Sequence, residues 1–340
     1  MYLISNNNIT DPRMNLALEE YCLRHLGSDD DYVLLYVNEP SIIVGRFQNA
    51  LEEINQEYVT AKGLHVIRRM SGGGAVYHDH GNLNFSFMTR YAKDRLCNFR
   101  LFTEPVIRTL KDMGVHAELT GRNDILVNGK KISGNAQYVT RHAMLTHGTL
   151  LFDADMEALV RALNVSQDKI VSKALQSVRS RVTTIRECTP QAGDMEAFRS
   201  RLLANLFAQD GGVPSYALTH EQWEEVTDLA VSKYGSWAWN FGKSPRYNVQ
   251  RKHRFPIGQV DTRMQVEGGV VRRVKIYGDF LGHGEIHELE ALLTGKAFRR
   301  DVLETCLQEV DLSMYFGEMP TEDFVTYLWG DTRDAQKGVG

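Results

Sequence analysis

Neither a Gly-x4-Gly-Lys-Ser/Thr segment nor a Gly-x-Gly-x-x-Gly segment occurs in the 340 residues. A bound nucleotide would therefore be held by something other than a Walker loop or a dinucleotide-binding turn. There is no Gly-x-Ser-x-Gly elbow, and Ser71, beside the richest glycine tract, has no evident base, so a serine nucleophile is not expected. Cysteine is scarce: four residues, at 22, 97, 188 and 306, with no Cys-x-x-Cys pair. That argues against a structural zinc site and against a disulfide framework. The first residues lack a basic stretch followed by an apolar one, and no run of about 18 apolar residues appears. The expected setting is soluble, reducing and cytoplasmic, with no membrane partner. Positive charge is not in surplus: the formal net charge is −4. No general excess is left for neutralising a phosphate backbone, which argues against nucleic acid as a partner.

What is present is ordinary in bulk and specific in detail. Hydrophobic residues at 43% and charged residues at 24% fit a globular protein long enough for more than one domain. Asp11-Pro12 predicts a helix start, with Met14, Leu18, Tyr21 and His25 on one stripe and Gly27 as the stop. Strands are expected at 32–37, 41–44, 63–69 and 82–87, the last with Leu83, Phe85 and Phe87 alternating against Asn82, Asn84 and Ser86. Helices are expected near 98–113, 155–163, 194–208 and 219–234, the last opened by a Thr219-x-x-Gln222 capping box. A seam falls at 240–250, where the aromatic stretch from Trp237 runs into Lys243-Ser244-Pro245. Beyond it come strand, Glu267-Gly268-Gly269 turn, strand, and helices near 286–294, 298–309 and 321–329. The expected architecture is α+β in two domains, a large one at 1–245 and a small α+β one at 246–340.

Three tracts carry the chemistry. At 68–78 the chain reads Arg-Arg-Met-Ser-Gly-Gly-Gly-Ala-Val-Tyr-His: three glycines give a backbone that no side chain obstructs, behind two arginines that suit phosphate. Because Arg68 and Arg69 alternate across a strand, only one faces the glycine loop, and Arg69 is expected to be that one. At 124–133, Asn128-Gly129 between two apolar-patterned runs predicts a two-residue hairpin. The expected register pairs Val127 with Lys130, Leu126 with Lys131, Ile125 with Ile132 and Asp124 with Ser133. Asp124, Leu126, Lys131 and Ser133 then share a face, with Asp124 diagonal to Lys131. An acid able to hold Mg²⁺ and a lysine able to touch phosphate would point into one space. At 147–152, His147-Gly148-Thr149 before Leu150-Leu151-Phe152 reads as a strand entering a site. His78-Asp79-His80 puts two imidazoles on one side of an extended segment without an evident third ligand, which favours a structural or substrate-contact role over a metal.

Taken together these tracts resemble the lipoate–protein ligase A family over nearly the whole chain. The resemblance rests on 68–87, 121–137 and 147–152, on Asn15-Leu16-Ala17-Leu18-Glu19-Glu20, on Val44-Gly45-Arg46-Phe47-Gln48-Asn49, on Ser177-Val178-Arg179-Ser180-Arg181-Val182, and on the C-terminal unit. It implies a large domain of the class II aminoacyl-tRNA synthetase and biotin ligase-like fold. It also implies ATP- and Mg²⁺-dependent conversion of free lipoate to lipoyl-AMP, then transfer to a lysine of an acceptor lipoyl domain. Acceptors would be E2 subunits of 2-oxo-acid dehydrogenases or the glycine-cleavage H protein, and the enzyme a monomer. Carried over, Lys131 is the catalytic residue. Arg69, Gly74, Ala75, Val76, Tyr77, Asn123, Asp124 and Lys131 contact the nucleotide, with Asp124 on the metal. Arg46, Ser71, Gly72, Gly73, Lys131, Ser133, Gly134, His147 and Gly148 line the lipoate site. Two alternatives of the same fold remain open: a transferase using preformed lipoyl-AMP, and an octanoyl or lipoyl amidotransferase working through a cysteine thioester. The second is disfavoured because no cysteine lies between Lys131 and Phe152, and Cys97 and Cys188 fall outside the matching tracts.

Overall fold

The computed structural model describes residues 1–26, 30–121, 123–163, 177–189, 192–208, 211–241, 249–267 and 269–329. Contacts divide the chain into two compact units. The first comprises Met1–Val44, Ala50–Met70 and Ala75–Phe241; the second comprises Gly45–Asn49, Ser71–Gly74 and Gly242–Gly340.

The first unit is built on an eight-stranded sheet. Its strands are β1 (Tyr2–Ile4), β2 (Tyr32–Val37), β6 (Asn82–Arg90), β7 (Ala117–Thr120), β8 (Asp124–Val127), β9 (Lys130–Val139), β10 (Ala143–Leu151) and β11 (Ser215–Tyr216), in the order β11-β1-β2-β6-β10-β9-β8-β7. The period-two pattern of β6 sets the character of the two faces. Leu83, Phe85 and Phe87 point to the side sealed by the helices Phe99–Asp112 and Met195–Leu206, joined there by Ile125, Val127, Ile132, Leu150 and Phe152. The opposite side carries Asn82, Asn84 and Ser86 and is covered by helix α1 (Pro12–His25). That helix starts as its sequence requires: the Asp11 carboxylate accepts the Arg13 amide at 2.8 Å and Pro12 occupies the first turn. Leu18 and Tyr21 of its stripe are buried, Met14 packs at the margin, and His25 is exposed but stacks on the Tyr21 ring. The expected stop, Gly27, lies outside the described residues.

A second, three-stranded sheet of the first unit has β3 (Ser41–Val44) between β4 (His65–Arg68) and β5 (Val76–His78), parallel to the former and antiparallel to the latter. Ile43, Ile67 and Val76 pack with α1, whereas Ile42, Val44, Val66 and Tyr77 pack into a separate apolar cluster on the other side. The helix expected at 219–234 runs from His220 to Leu229 with both halves of its capping box made. It then widens into a π turn at Ala230–Tyr234 before the short helix Trp237–Asn240.

The second unit has a three-stranded antiparallel sheet, β12 (Val249–Phe255), β13 (Gly258–Glu267) and β14 (Val270–Gly278), with helices Ile286–Leu293, Arg300–Leu307, Ser313–Phe316 and Thr321–Trp329. Val260, Met264, Val274 and Ile276 meet Leu289, Leu303 and Phe324 in its core. The Pro245 seam and Gly268 of the predicted turn lie outside the described residues. Two short stretches far away in sequence find their contacts here. The Phe47 ring stacks on Phe280 at 4.7 Å, the Gly278 amide donates to Phe47 O at 2.6 Å, and the Gly73 amide donates to Phe280 O at 3.3 Å.

Candidate active site

The β8–β9 hairpin forms as its Asn-Gly pair dictates, with both Asn128 and Gly129 at positive φ. Val127 pairs with Lys130 and Leu126 with Lys131, but the expected register then fails. A bulge makes Ile132 the extra residue, so Ile125 faces Ser133 and Asp124 faces Gly134. Ile125, Val127 and Ile132 all lie in the apolar core. With the bulge, Ser133 is moved off the Asp124–Lys131 face. It is fully buried and its hydroxyl accepts from Asn135 Nδ2 at 3.3 Å. Gly134 takes its place; a Cβ there would sit 3.0 Å from Lys131 Nζ.

Lys131 Nζ and Asp124 Oδ1 are 2.8 Å apart, with side chains 39% and 35% exposed. The lysine backbone is fixed from the other side. Its amide donates to Arg181 O at 2.7 Å and its carbonyl accepts from the Thr183 amide at 3.0 Å, along a parallel bridge to Val182. The matching tract at 177–182 is thus the support of the lysine, a role that motif matching left unassigned. Asn123 braces the base of the hairpin: its carbonyl accepts from the Asn135 amide at 3.0 Å, and its side chain donates back to Asn135 O.

Gly148 of β10 pairs with Phe85 on the apolar side, and on the polar face of the large sheet His147 pairs with Ser86 of β6. Beneath them lies Glu19 of α1, which the sequence reading passed over. Its carboxylate accepts from Tyr36 Oη at 3.0 Å and from the Ser86 hydroxyl, and His147 Nδ1 lies 3.1 Å away. A carboxylate only accepts, so Nδ1 is the donor in this contact. The legible signal was an acid between Leu18 and Glu20 on a helix face that is otherwise core. Gly148 is required by crowding, since a Cβ there would fall 2.2 Å from Asn135 Oδ1 and 2.6 Å from Phe85 Cζ.

Arg68 and Arg69 are both buried, and they take different partners. Arg69 Nη1 donates to Ile43 O at 3.0 Å. Burial lowers its pKa to about 10, with the Glu19 charge acting in the opposite sense. Burial, with Arg69 and His147 nearby, depresses His78 to about 3, so this imidazole is neutral. Its Nδ1 meets Asn38 Nδ2 at 3.0 Å, while its Nε2 and the Asn82 Oδ1 are buried without a partner among the described residues. The expected alignment of His78 with His80 does not occur. The Asp79 carboxylate accepts the Gly81 amide at 2.8 Å and turns the chain, leaving His80 exposed. The Tyr77 ring is buried against Ile42 and Val44.

The remaining expected residues, Arg46 and Ser71 to Gly74, belong to the second unit. The Arg46 guanidinium pairs with the Glu285 carboxylate. Gly72 admits no side chain, because a Cβ would fall 2.3 Å from Phe280 O, and Gly73 has a φ of +92° that favours glycine. A Cβ on Gly74 would meet nothing within 4 Å.

Comparison with known proteins places this geometry. Residues 11–207 match the lipoyl protein ligase A/B catalytic domain, and residues 244–328 match the bacterial lipoate protein ligase C-terminus. The chain is 49% identical over 331 residues to the lipoate-protein ligase LplJ of Bacillus subtilis, covering 97% of this chain and all of that one. It is 46% identical over 328 residues to lipoate–protein ligase 1 of Staphylococcus aureus, covering 96% of this chain and all of that one. Among solved structures, Plasmodium falciparum LipL1 in complex with lipoate has the same fold over 97% of this chain and 98% of its own, with a TM-score of 0.80 at 22% identity. A lipoate-protein ligase A bound with ATP covers 71% of this chain and 97% of its own, with a TM-score of 0.61 at 28% identity. A bipartite ligase of Thermoplasma acidophilum, described with its E2 lipoyl domain, covers 73% of this chain and 98% of its own, with a TM-score of 0.65 at 29% identity. With both family models matched in order along the chain, this protein belongs to the lipoate–protein ligases.

Proposed function

We propose that the chain activates free lipoate with ATP and Mg²⁺ and passes the lipoyl group to a lysine of acceptor lipoyl domains, with Lys131 as the catalytic residue. The observation that carries this reading is the pairing of Lys131 with Asp124 at 2.8 Å on a half-open face, braced from behind by 181–183. The donor set fits the co-substrate. A carboxylate is the hard oxygen ligand that Mg²⁺ takes, and an ammonium group takes a phosphate oxygen; a metal–triphosphate exchanges one ion pair for two contacts of matched charge. Mg²⁺ there would neutralise charge on the triphosphate.

Lipoate reaches the site as a carboxylate, so adenylation needs no general base. A carboxylate oxygen attacks the α-phosphorus and the bond to pyrophosphate breaks. Lys131, within reach of the developing charge, stabilises that displacement. Arg69 and the backbone at 74–77 are assigned to the nucleotide, with Asn123 and Asp124. His147, oriented by Glu19, and the small residues Gly134 and Gly148 are assigned to the acyl chain, as are Ser133, Arg46 and Ser71 to Gly73. In the second step the acceptor amine loses a proton, attacks the acyl carbon, and AMP leaves.

The test is intact-mass analysis of an apo acceptor domain after incubation with lipoate, ATP and Mg²⁺, alongside pyrophosphate release without acceptor. A lipoyl mass increment and lipoate-dependent release are expected. An increment only from supplied lipoyl-AMP would favour the activation-deficient transferase. An increment from an acyl-thioester donor without ATP would favour the amidotransferase.

A further inference from the structure

Among the described residues β4 is an edge strand, paired with β3 alone, and its outer side needs partners for its main-chain groups. At Arg68 no strand supplies them. The Arg68 amide donates to Asn240 Oδ1 at 2.9 Å, and the Arg68 carbonyl accepts from Trp239 Nε1 at 2.8 Å. The guanidinium is held by the same two residues: Nε donates to Trp239 O at 3.0 Å and Nη2 to Asn240 O at 2.8 Å. These carbonyls end a short helix, where a cation is favoured. The clamp is itself fixed. Asn240 is buried and its Nδ2 donates to Tyr234 O at 2.7 Å, while the Lys233 ammonium sits 4.0 Å from the Trp239 ring centroid. Asn240 is the last residue but one of the first unit.

Arg69 follows at once and projects to the other side of the strand, toward Glu19. Its own amide donates to Val44 O at 3.0 Å. We infer that Asn240 is a positioning residue: by closing the open edge of β4 at Arg68, it fixes the direction in which Arg69 enters the nucleotide side of the site. This deepens the ligase reading and rests on the assignment of Arg69 to the nucleotide. The physical argument is one of leverage. Arg69 is buried at the strand's end, one residue before the chain passes to Ser71 and the glycines. A strand end free to peel would let that costly buried guanidinium turn toward water. Anchoring the preceding residue on both its main-chain groups and its side chain removes that freedom.

The experiment is lipoate-dependent pyrophosphate release by the full chain with ATP varied, and thermal melting in parallel. Asn240→Ala is expected to raise the KM for ATP and lower kcat, with kcat/KM down on the order of ten- to a hundredfold. Asn240→Asp keeps an oxygen for the Arg68 amide and loses the donor to Tyr234. It is expected to recover most of kcat/KM while melting as low as the alanine variant. Trp239→Phe, which removes the Nε1 donor and trims the ring while leaving Asn240 in place, is expected to raise the KM for ATP severalfold and serves should Asn240→Ala fail to fold. Recovery in Asn240→Asp without recovery of stability supports positioning. Unchanged kinetics in Asn240→Ala, or an Asp variant as impaired as the Ala variant, overturns it. A wild-type chain without lipoate-dependent release ends the ligase reading and this inference with it. An active wild type matched by its variants ends the inference alone.

Discussion

Two groups of opposite charges in the first unit are built in opposite ways. Lys131 and Asp124 meet on a face more than a third open to water, on a hairpin. Glu19, with His147, Tyr36 and Ser86, is closed off beneath α1, in reach of the Arg69 charge. An exposed pair contributes about 0–1 kcal/mol to folding, so the hairpin pair is nearly dispensable for stability and free to trade partners with a ligand. A buried network gains little net energy when complete but is expensive to break, because each orphaned group stays out of water. The difference separates what the fold keeps for chemistry from what it keeps for shape.

Substitutions can break this contrast in decreasing order of effect. Lys131→Ala should cut lipoate-dependent pyrophosphate release on the order of 10³-fold and shift the melting temperature hardly at all. A large stability loss with activity retained would reverse the roles of the two groups. Glu19→Ala should cost about 3 kcal/mol in urea unfolding, since it strands two hydroxyls and an imidazole N–H and leaves Arg69 without its nearby countercharge. A cost below about 1 kcal/mol would show that the network is not tightly coupled. The pH dependence is subtler. His78 stays neutral in the folded chain down to about 3, against 6.5 when unfolded, so its contribution is intact above pH 6.5 and is lost as pH falls toward 3. At pH 5 that loss is about 2 kcal/mol, and His78→Gln should flatten the acid limb of a stability–pH curve by that amount. An unchanged limb would assign the acid sensitivity elsewhere.

Much of this was legible in the chain. Asp11-Pro12, the Thr219–Gln222 box and the Asn128-Gly129 turn act over four residues or fewer, and each forms as its local chemistry demands. The polar and apolar alternation of β6 foretold the two faces of the sheet. What was not legible depends on contacts distant in sequence. The bulge at Ile132 leaves no trace in the alternation of the two strands, because an unbulged Asn-Gly ladder satisfies the same apolar pattern. Glu19 reads as an ordinary helical acid until β2, β6 and β10 bring Tyr36, Ser86 and His147 onto it. Arg68 and Arg69 were known to part company across the strand. Only Trp239 and Asn240, 171 and 172 positions away, show what holds Arg68 in place.

The sequence by itself determined the elements, the family and the residue types of the chemistry, because caps, turns and period-two patterns act between near neighbours. Tertiary structure alone decided which segment braces Lys131 from behind, which acid orients His147, and that Arg46 and the glycines after Ser71 pack with Glu285 and Phe280. Those choices are settled by competition for buried space and for hydrogen-bond partners among groups that meet only when the chain has folded.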